Sequence, residues 1–419
     1  MLPLLRSSRR SAYHALMTNA LDRIAPIVIV GGGLVGSSLA LALDRAGIDC
    51  LLVEAAAPRP AGAQAETRNL ALARATVNGL RTIGLWSFLA ASAQPITRIR
   101  VSRAGAFGSV QLDAAEAGVD ALGWTVPARV LGDVLEEALK AASHVNRMPE
   151  ARLVGMGADP AGYALSLETS AGSRDVRAGL LVGADGTNSS VRAMLGIQAH
   201  VHDYRQSLIV GEVRCARQLG GGASERFTAA GPVALLPLPE FRAGLVLGVA
   251  TEHVGQVMAL DDRDFLAYAQ ARLGWQAGRL VASGARQAWP IRRVLSSALT
   301  APRAVLVGNA AQTVHPVAAQ GFNLGLRDAL TLAELLVRSN DLGAAALLDA
   351  YASRRADDRV GVLRMTHALA TLACGSGFSG LQSLALMAMD GLPLVRRRLL
   401  RHGMGWRGMP PRAVLEALP

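Results

Sequence analysis

At 419 residues and 51% hydrophobic composition, the chain is long enough for two or three packed units around a large core. It contains no continuous apolar run of about 18 residues, so no membrane-spanning helix is predicted. The formal charge of +11 does not mark a nucleic-acid partner: Lys140 is the sole lysine, most of the arginine excess lies in residues 1–25 and 391–419, residues 26–390 carry only +3, and 4% aromatics leave no platform for stacked bases.

Cys50, Cys215 and Cys374 are scattered, with no CxxC pair, which argues against a disulfide framework or a metal site and for a reducing compartment. The first segment, MLPLLRSSRRSAYHALMTNALDR, is Arg- and Ser-rich and free of acid until Asp22. It superficially fits a transit peptide. The favoured reading is a flexible extension over residues 1–25, with Met17 as an alternative start.

In chain order, Ile27-Val28-Ile29-Val30 reads as a buried strand ending in glycines. A helix follows from Val35 to Ala46, stopped by Gly47, and Cys50–Val53 is the next strand. Gly31-Gly32-Gly33-Leu34-Val35-Gly36 between them fits G-x-G-x-x-G. In that pattern Gly31 permits the tight turn, Gly33 lets backbone approach a pyrophosphate, and Gly36 allows close helix packing. The helix start, with Leu34 and Val35, offers free N–H groups to phosphate. Glu54 ends the second strand, where a carboxylate can accept both ribose hydroxyls; an acid there argues against a 2′-phosphate. The unit predicts a dinucleotide site, but the motif alone leaves FAD and NAD both open.

Further along, Arg81–Ala93 and Gly132–Ala142 are predicted helices, and Arg98–Leu112 a hairpin. Strands separated by Gly and Pro dominate residues 152–182 and 207–250. A second strand end, Gly183-Ala184-Asp185-Gly186, precedes a helix, and Gly308-Asn309 repeats that logic. FAD has a longer polar chain than NAD, so side chains at such strand ends could meet its pyrophosphate or ribitol. The expected division is 1–25 extension; 26–97, 128–198 and 300–350 cofactor domain; 98–127 and 199–299 β-rich substrate domain; 351–419 C-terminal helices. Within the last region, residues 360–401 combine apolar helical stretches with Arg396-Arg397-Arg398, which suits either an anionic membrane surface or packing on the chain's own core.

Four segments carry a family resemblance: IVGGGLVGSSLALAL…LLVEA, TRNLALARATVNGLRTIGLW, ERFTAAGPVALLPLP and VLVGNAAQTVHPVAAQGFNLGLRDA. On these the chain resembles the FAD-dependent aromatic hydroxylases of the para-hydroxybenzoate hydroxylase fold, and within them the ubiquinone-biosynthesis branch of UbiH/UbiF type, nearest the octaprenyl-methoxyphenol hydroxylases. The resemblance implies an α/β fold: a Rossmann-like FAD-binding domain interrupted by a β-sheet substrate domain, with C-terminal helices. It implies that Gly31, Gly33 and Gly36 hold the pyrophosphate of FAD and Glu54 its ribose. Arg68 would lie near the ribityl region and Arg129 over the cofactor. Asp185-Gly186 belongs to the motif linked to FAD and NADPH, Asn309 stands where the wider family has Asp, and Pro316 fixes a turn under the ring. Gly321, Phe322 and Asn323 offer backbone N–H groups to the flavin.

The activity so implied is ring hydroxylation of a polyprenylated methoxyphenol, with O2 and NADPH or NADH bound transiently, through a flavin C4a-hydroperoxide. A peripheral place on the cytoplasmic face of the membrane, or in a quinone-synthesis complex, goes with it. Competing readings are a hydroxylase of a soluble aromatic, a flavin dehydrogenase or reductase that uses no oxygen, and a flavin-bearing assembly subunit. His315 is the nearest candidate for acid–base work, against the reading of a turn residue held by local hydrogen bonds. His202 and Tyr204 are weaker candidates for facing substrate. Two departures stand out: the family's His-Pro-x-x-Gly-Gln-Gly has Ala319 for its first Gly, and Trp289-Pro290 replaces a usual Tyr-Pro. If position 319 needs a positive φ, the alanine is strained by about 1 kcal/mol.

Overall fold

The computed structural model describes residues 25–57, 67–372, 391–407 and 409–414. The expectation for the N-terminal extension falls on residues outside that set, as do residues 373–390 of the apolar C-terminal stretch. No described helix is long and apolar enough to cross a membrane.

A parallel sheet holds the first half of the fold. Its strands run in the order Ala304–Leu306, Gly172–Gly183, Ala25–Val30, Cys50–Glu54, Val145–Pro149, with an antiparallel edge strand Thr300–Ala301 and a meander Ala151–Asp159/Gly162–Thr169. Ile27, Val28 and Ile29 are wholly buried because helices cover the sheet, which is why that strand is apolar throughout rather than alternating. Helix Leu34–Arg45 packs against helices Ala128–Ala141 and Gln320–Leu336. The first helix begins and ends within a residue of expectation, and Gly47, at φ +70°, lies just beyond it.

A large antiparallel-rich sheet forms the second layer, ordered Gln312–Thr313, Leu280–Ser296, Ala199–Cys215, Arg242–Ala250, Gly231–Pro237, Gly222–Thr228, Arg98–Arg103, Ser109–Asp113. The predicted hairpin is its far edge, joined by a parallel pairing of Arg98–Arg103 with Gly222–Thr228. Helix Asp262–Leu273 covers one face. Strand Gly123–Pro127 pairs not with this sheet but with Asn69–Ala73 and Gln94–Ile96 in a small third sheet.

Two predicted helices shift. In place of Arg81–Ala93 there is a helix Arg74–Thr82, a break at Gly84 (φ +80°) and a short helix Trp86–Leu89. The apolar spacing runs across the break, but a left-handed residue ends the helical backbone. The Gly132 helix starts at Ala128, capped by Pro127, whose ring disfavours helix only on its N-terminal side. At the C-terminus, helix Ala345–Leu372 lies against Gln320–Leu336, and helix Pro393–Gly403 packs Leu400 beside Val110 and Leu112.

Candidate active site

The turn after the first strand is built by glycine sterics. Gly31 sits at φ +108°, and a Cβ there would lie 2.5 Å from the Ala184 carbonyl oxygen. A Cβ on Gly36 would lie 1.9 Å from the Gly31 carbonyl oxygen. Gly36 therefore lets the helix close on its own turn as much as on the sheet. Around Gly33, by contrast, the space where a Cβ would point is open. That is the cradle a pyrophosphate needs, beside the unpaired N–H groups of Leu34 and Val35 in the first helical turn. Glu54 is held at the rim: Oε2 accepts from the Gly32 N–H at 2.6 Å and Oε1 from the Ala56 N–H at 2.7 Å. Its carboxylate keeps further lone pairs for ribose hydroxyls.

The other two strand ends converge on this cradle. Asp185 follows directly on Ala184, whose oxygen contacts Gly31. Its Oδ2 accepts from the Val191 N–H at 3.0 Å, while Oδ1 is buried with no partner in the protein. An orphaned carboxylate oxygen beside the cradle fits a hydroxyl of the cofactor. Gly186, at φ +85°, has open space at its Cβ position. Val35 packs on Gly308 and Gly325, which brings the loop of Asn309 and helix Gln320–Leu336 to the same place. Asn309 is exposed in a single turn of 3-10 helix.

Arg68 and Arg129 meet at one end of the small sheet, where the Ala128 N–H donates to the Arg68 carbonyl at 3.0 Å. Arg129 is exposed in the first turn of its helix, 3.4 Å from Asp133. The Arg68 guanidinium lies over Trp289, 4.9 Å from the ring centroid, so the unusual Trp289 stands beside a candidate cofactor residue.

The His-Pro loop carries the strain expected of it. Ala318 and Ala319 both adopt left-handed conformations, φ +60° and +50°. They are held there by the Ala319 N–H on the Pro316 carbonyl (2.9 Å) and by Asn323 Nδ2 on the Ala319 carbonyl (2.7 Å). Asn323 is also a strut: Nδ2 reaches the Ala71 carbonyl, and Oδ1 accepts from the Ala73 N–H and from Thr76. Its side chain is spent on the fold, which leaves the N–H groups of Gly321, Phe322 and Asn323 at the helix start. The Gly321 Cβ direction is open. Ala319→Gly is expected to raise stability by about 0.5–1 kcal/mol, because the left-handed penalty exceeds the extra chain entropy of glycine. Thermal unfolding of the two proteins at equal flavin content checks this.

His315 is buried, and its Nδ1 accepts from the Val317 N–H at 3.1 Å, the local bond of a turn residue. Burial, then His367, depress its pKa to about 4, so it stands neutral at physiological pH. Tyr204 stacks edge-on to it at 4.7 Å and hydrogen-bonds His367 Nδ1 at 3.1 Å. His202, exposed, lies edge-on to both Tyr204 and His367.

Behind the loop lies a buried ionic cluster. Arg327 pairs with Asp358 at 2.7 Å, and Arg355 with Asp328 (2.7 Å) and Asp358 (2.8 Å). All four residues are at most 2% exposed. Burial disfavours the Asp358 charge, yet Arg327 and Arg355 hold its carboxyl below the usual range. Asp328 Oδ2 also accepts from the Gly308 N–H (3.1 Å) and Gln312 Nε2 (2.6 Å). The Arg-Asp of GFNLGLRD thus anchors the Asn309 turn to two helices.

Next to the His-Pro loop lies an apolar cavity of about 390 Å³, walled by the sheet face of Ile99, Val101, Val110 and Phe227 and by Met365 and Leu399 of the C-terminal helices. Glu225, which the motif reading passed over inside ERFTAAG, lines it. A legible signal existed: strand alternation puts Glu225 on one face with Ala223 and Phe227, an acid on an apolar face.

The FAD binding domain family matches residues 25–366. The chain is 34% identical over 402 residues to "Ubiquinone hydroxylase UbiL" of Rhodospirillum rubrum, covering 94% of this chain and 93% of the relative. It is 33% identical over 407 residues to the 3-demethoxyubiquinol 3-hydroxylase of Escherichia coli, covering 93% of this chain and all of that one. Among solved structures it is similar in fold to the p-nitrophenol 4-monooxygenase of Pseudomonas putida, with a TM-score of 0.76 and 21% identity over 91% of this chain and 98% of that one. The glycine cradle, the orphaned Asp185 oxygen and the open helix start fit FAD, and the chain belongs to the FAD binding domain family, within it to the ubiquinone-hydroxylase group of FAD-dependent monooxygenases.

Proposed function

We propose that the chain hydroxylates the ring of a polyprenylated phenol during ubiquinone synthesis, using NAD(P)H and O2. The observation that carries this reading is the apolar cavity beside the His-Pro loop. An apolar cavity of about 150 Å³ already takes benzene, so about 390 Å³ takes a substituted ring and only the first part of a long tail. The rest of the tail would leave between helices Ala345–Leu372 and Pro393–Gly403, both of which line the cavity. Around the second helix Leu392 and Leu394 are exposed, as are Arg397, Arg398 and Arg401, which supports contact with an anionic membrane surface. Arg396 is engaged inward, paired with Glu116 at 2.5 Å.

Bound and reduced, FAD supplies the electron pair that activates O2 and delivers one oxygen atom to the aromatic ring. The protein's part is positional. Gly31–Gly36, Glu54 and Asp185 would hold the nucleotide side. The start of helix Gln320–Leu336 would place its positive end against the negative charge of the reduced ring. The carbon-lined cavity would keep water from the oxygen-transfer step. Of the G-x-G-x-x-G matches in the sequence, only Gly31–Gly36 joins a strand to a helix among the described residues, so the nicotinamide donor would bind transiently.

Mass-spectrometric profiling of quinone intermediates in a deletion strain tests the proposal. The expected result is a prenylated phenol lacking one ring hydroxyl, cleared by the wild-type gene. An unchanged profile would sink it. Full rescue by a flavin-free point variant would assign the chain an assembly role instead.

A further inference from the structure

Polar groups are few on the wall of the apolar cavity, and two of them converge on one residue. The Glu225 carboxylate faces the backbone N–H of Ala318. Gln320, 4% exposed, donates from Nε2 to the Ala318 carbonyl at 2.9 Å, while its Oε1 is buried with no partner in the protein. The left-handed Ala318 therefore presents its N–H to one acid and its carbonyl to one amide. The result is a polar corner beside the His-Pro loop in a cavity walled mostly by carbon. A ring hydroxyl buried in that cavity needs hydrogen-bond partners, and this corner holds two acceptors.

Resting on the reading of the chain as a phenol hydroxylase, we propose that Glu225 is the base that takes the proton of the substrate's ring hydroxyl, with Gln320 Oε1 as the second polar contact. The phenolic O–H bond breaks, the proton goes to the Glu225 carboxylate, and the electron pair stays on the phenolate oxygen. Delocalised into the ring, that pair raises the nucleophilicity of the carbon that takes up oxygen. The proton returns to the phenolate oxygen of the product before release. Neither oxidant nor reductant is consumed in this step.

Other titratable groups facing the cavity or the loop do not mimic such a base. Arg103, from the neighbouring strand, presents only N–H donors and no acceptor. His402, from helix Pro393–Gly403, is held below its ordinary pKa by burial first and then by Arg407, Arg398 and Arg401. His315 titrates near 4, and His367 of the long helix is lowered by burial, Arg293 and His202. Arg226 points to the opposite face, where it donates to the Leu273 carbonyl at 3.1 Å. Burial raises Glu225 to about 7 despite the Ala318 N–H, close to the working pH that suits a general base.

The test compares wild type with Glu225→Gln on a methoxyphenol bearing a short prenyl chain, flavin content being measured in each sample. Wild-type kcat/KM should rise with pH through about 7. Glu225→Gln should keep its flavin and its rate of flavin reduction within about two-fold, lose that rising limb, and fall roughly 10²- to 10⁴-fold in hydroxylation, releasing peroxide instead. Glu225→Asp should restore the limb at a lower rate. A readout independent of turnover follows from linkage. The folded-state pKa of Glu225 is raised, so its stabilising effect is full below about pH 4.5 and lost as pH rises through about 7. The melting temperature of Glu225→Gln relative to wild type should therefore climb between pH 5 and 8.

A Gln variant that keeps both the limb and kcat/KM within five-fold would overturn the proposal. If the Gln variant does not fold, wild type alone decides: kcat/KM should rise with pH through about 7, and a flat profile between about pH 5.5 and 8.5 at constant flavin content overturns the assignment. A colourless wild-type protein would instead strike at the flavin reading on which the proposal rests.

Discussion

Gly36→Ala is expected to yield a colourless, destabilised protein. The added Cβ would stand 1.9 Å from the Gly31 carbonyl oxygen and 3.2 Å from the Ala184 Cβ. Neither neighbour can give way. Gly31 is locked by its N–H on the Val53 carbonyl (2.8 Å) and by backbone contact with Ala184 and Asp185. Ala184 is tied to the Val30 carbonyl at 2.8 Å. The helix start must therefore retreat from the turn, carrying the N–H groups of Leu34 and Val35 away from the phosphates. Overpacking of this kind costs about 1–3 kcal/mol in stability. Losing two or three charge-assisted bonds at about 1.5–3 kcal/mol each lowers FAD affinity by at least two orders of magnitude. Flavin absorbance per mole of purified protein measures the effect, and a yellow variant with full flavin content contradicts the assignment of this loop.

Asp328→Ala is expected to cost about 3–5 kcal/mol, the loss typical when one partner of a buried charge network is removed. The variant strands Arg355 beside Arg327 with Asp358 as the remaining carboxylate, and it orphans Gln312 and the Gly308 N–H. The Asn309 turn loses its anchor, so flavin retention should fall together with thermal stability. Glu212→Ala is the control: it breaks an exposed pair with Arg242 and should change stability by no more than about 0.5 kcal/mol. Chemical denaturation of the three proteins discriminates. A loss below about 1 kcal/mol at Asp328 would mean that solvent or a neighbour replaces the carboxylate.

Much of the fold was legible. The βαβ unit around Gly31–Gly36 was read to within a residue because a β-branched run, three glycines and a terminal acid are local constraints on backbone. Ala319 was flagged because the family pattern it resembles has Gly there, and a left-handed position penalises any Cβ; that Ala318 shares the conformation was not foreseen. The helix expected at Arg81–Ala93 failed for the converse reason. Hydrophobic spacing continued through Gly84, while the backbone did not.

In the site, side chains divided by whether their partners are near in sequence. His315 finds its partner two residues away, so the turn reading was available from the start. Asn323 reaches Ala71, Ala73 and Thr76, about 250 positions distant, and no spacing rule could show that its side chain is a strut rather than a ligand. Glu225 carried a faint signal as an acid on an apolar strand face. Its meaning depended on the parallel pairing that sets it beside Val101 and on the loop that turns Ala318 toward it.

By itself the amino-acid order determined the glycine turn of the βαβ unit, the alternation of sheet and helix, and the family, because glycine sterics and hydrophobic period act between neighbours along the chain. The tertiary structure alone decided which carboxylate faces the cavity, that Arg327, Asp328, Arg355 and Asp358 form one buried cluster, and that two alanines share the strained loop. The physical reason is that burial and charge pairing depend on distance in space, and strand register and helix crossing set that distance only after the chain has packed.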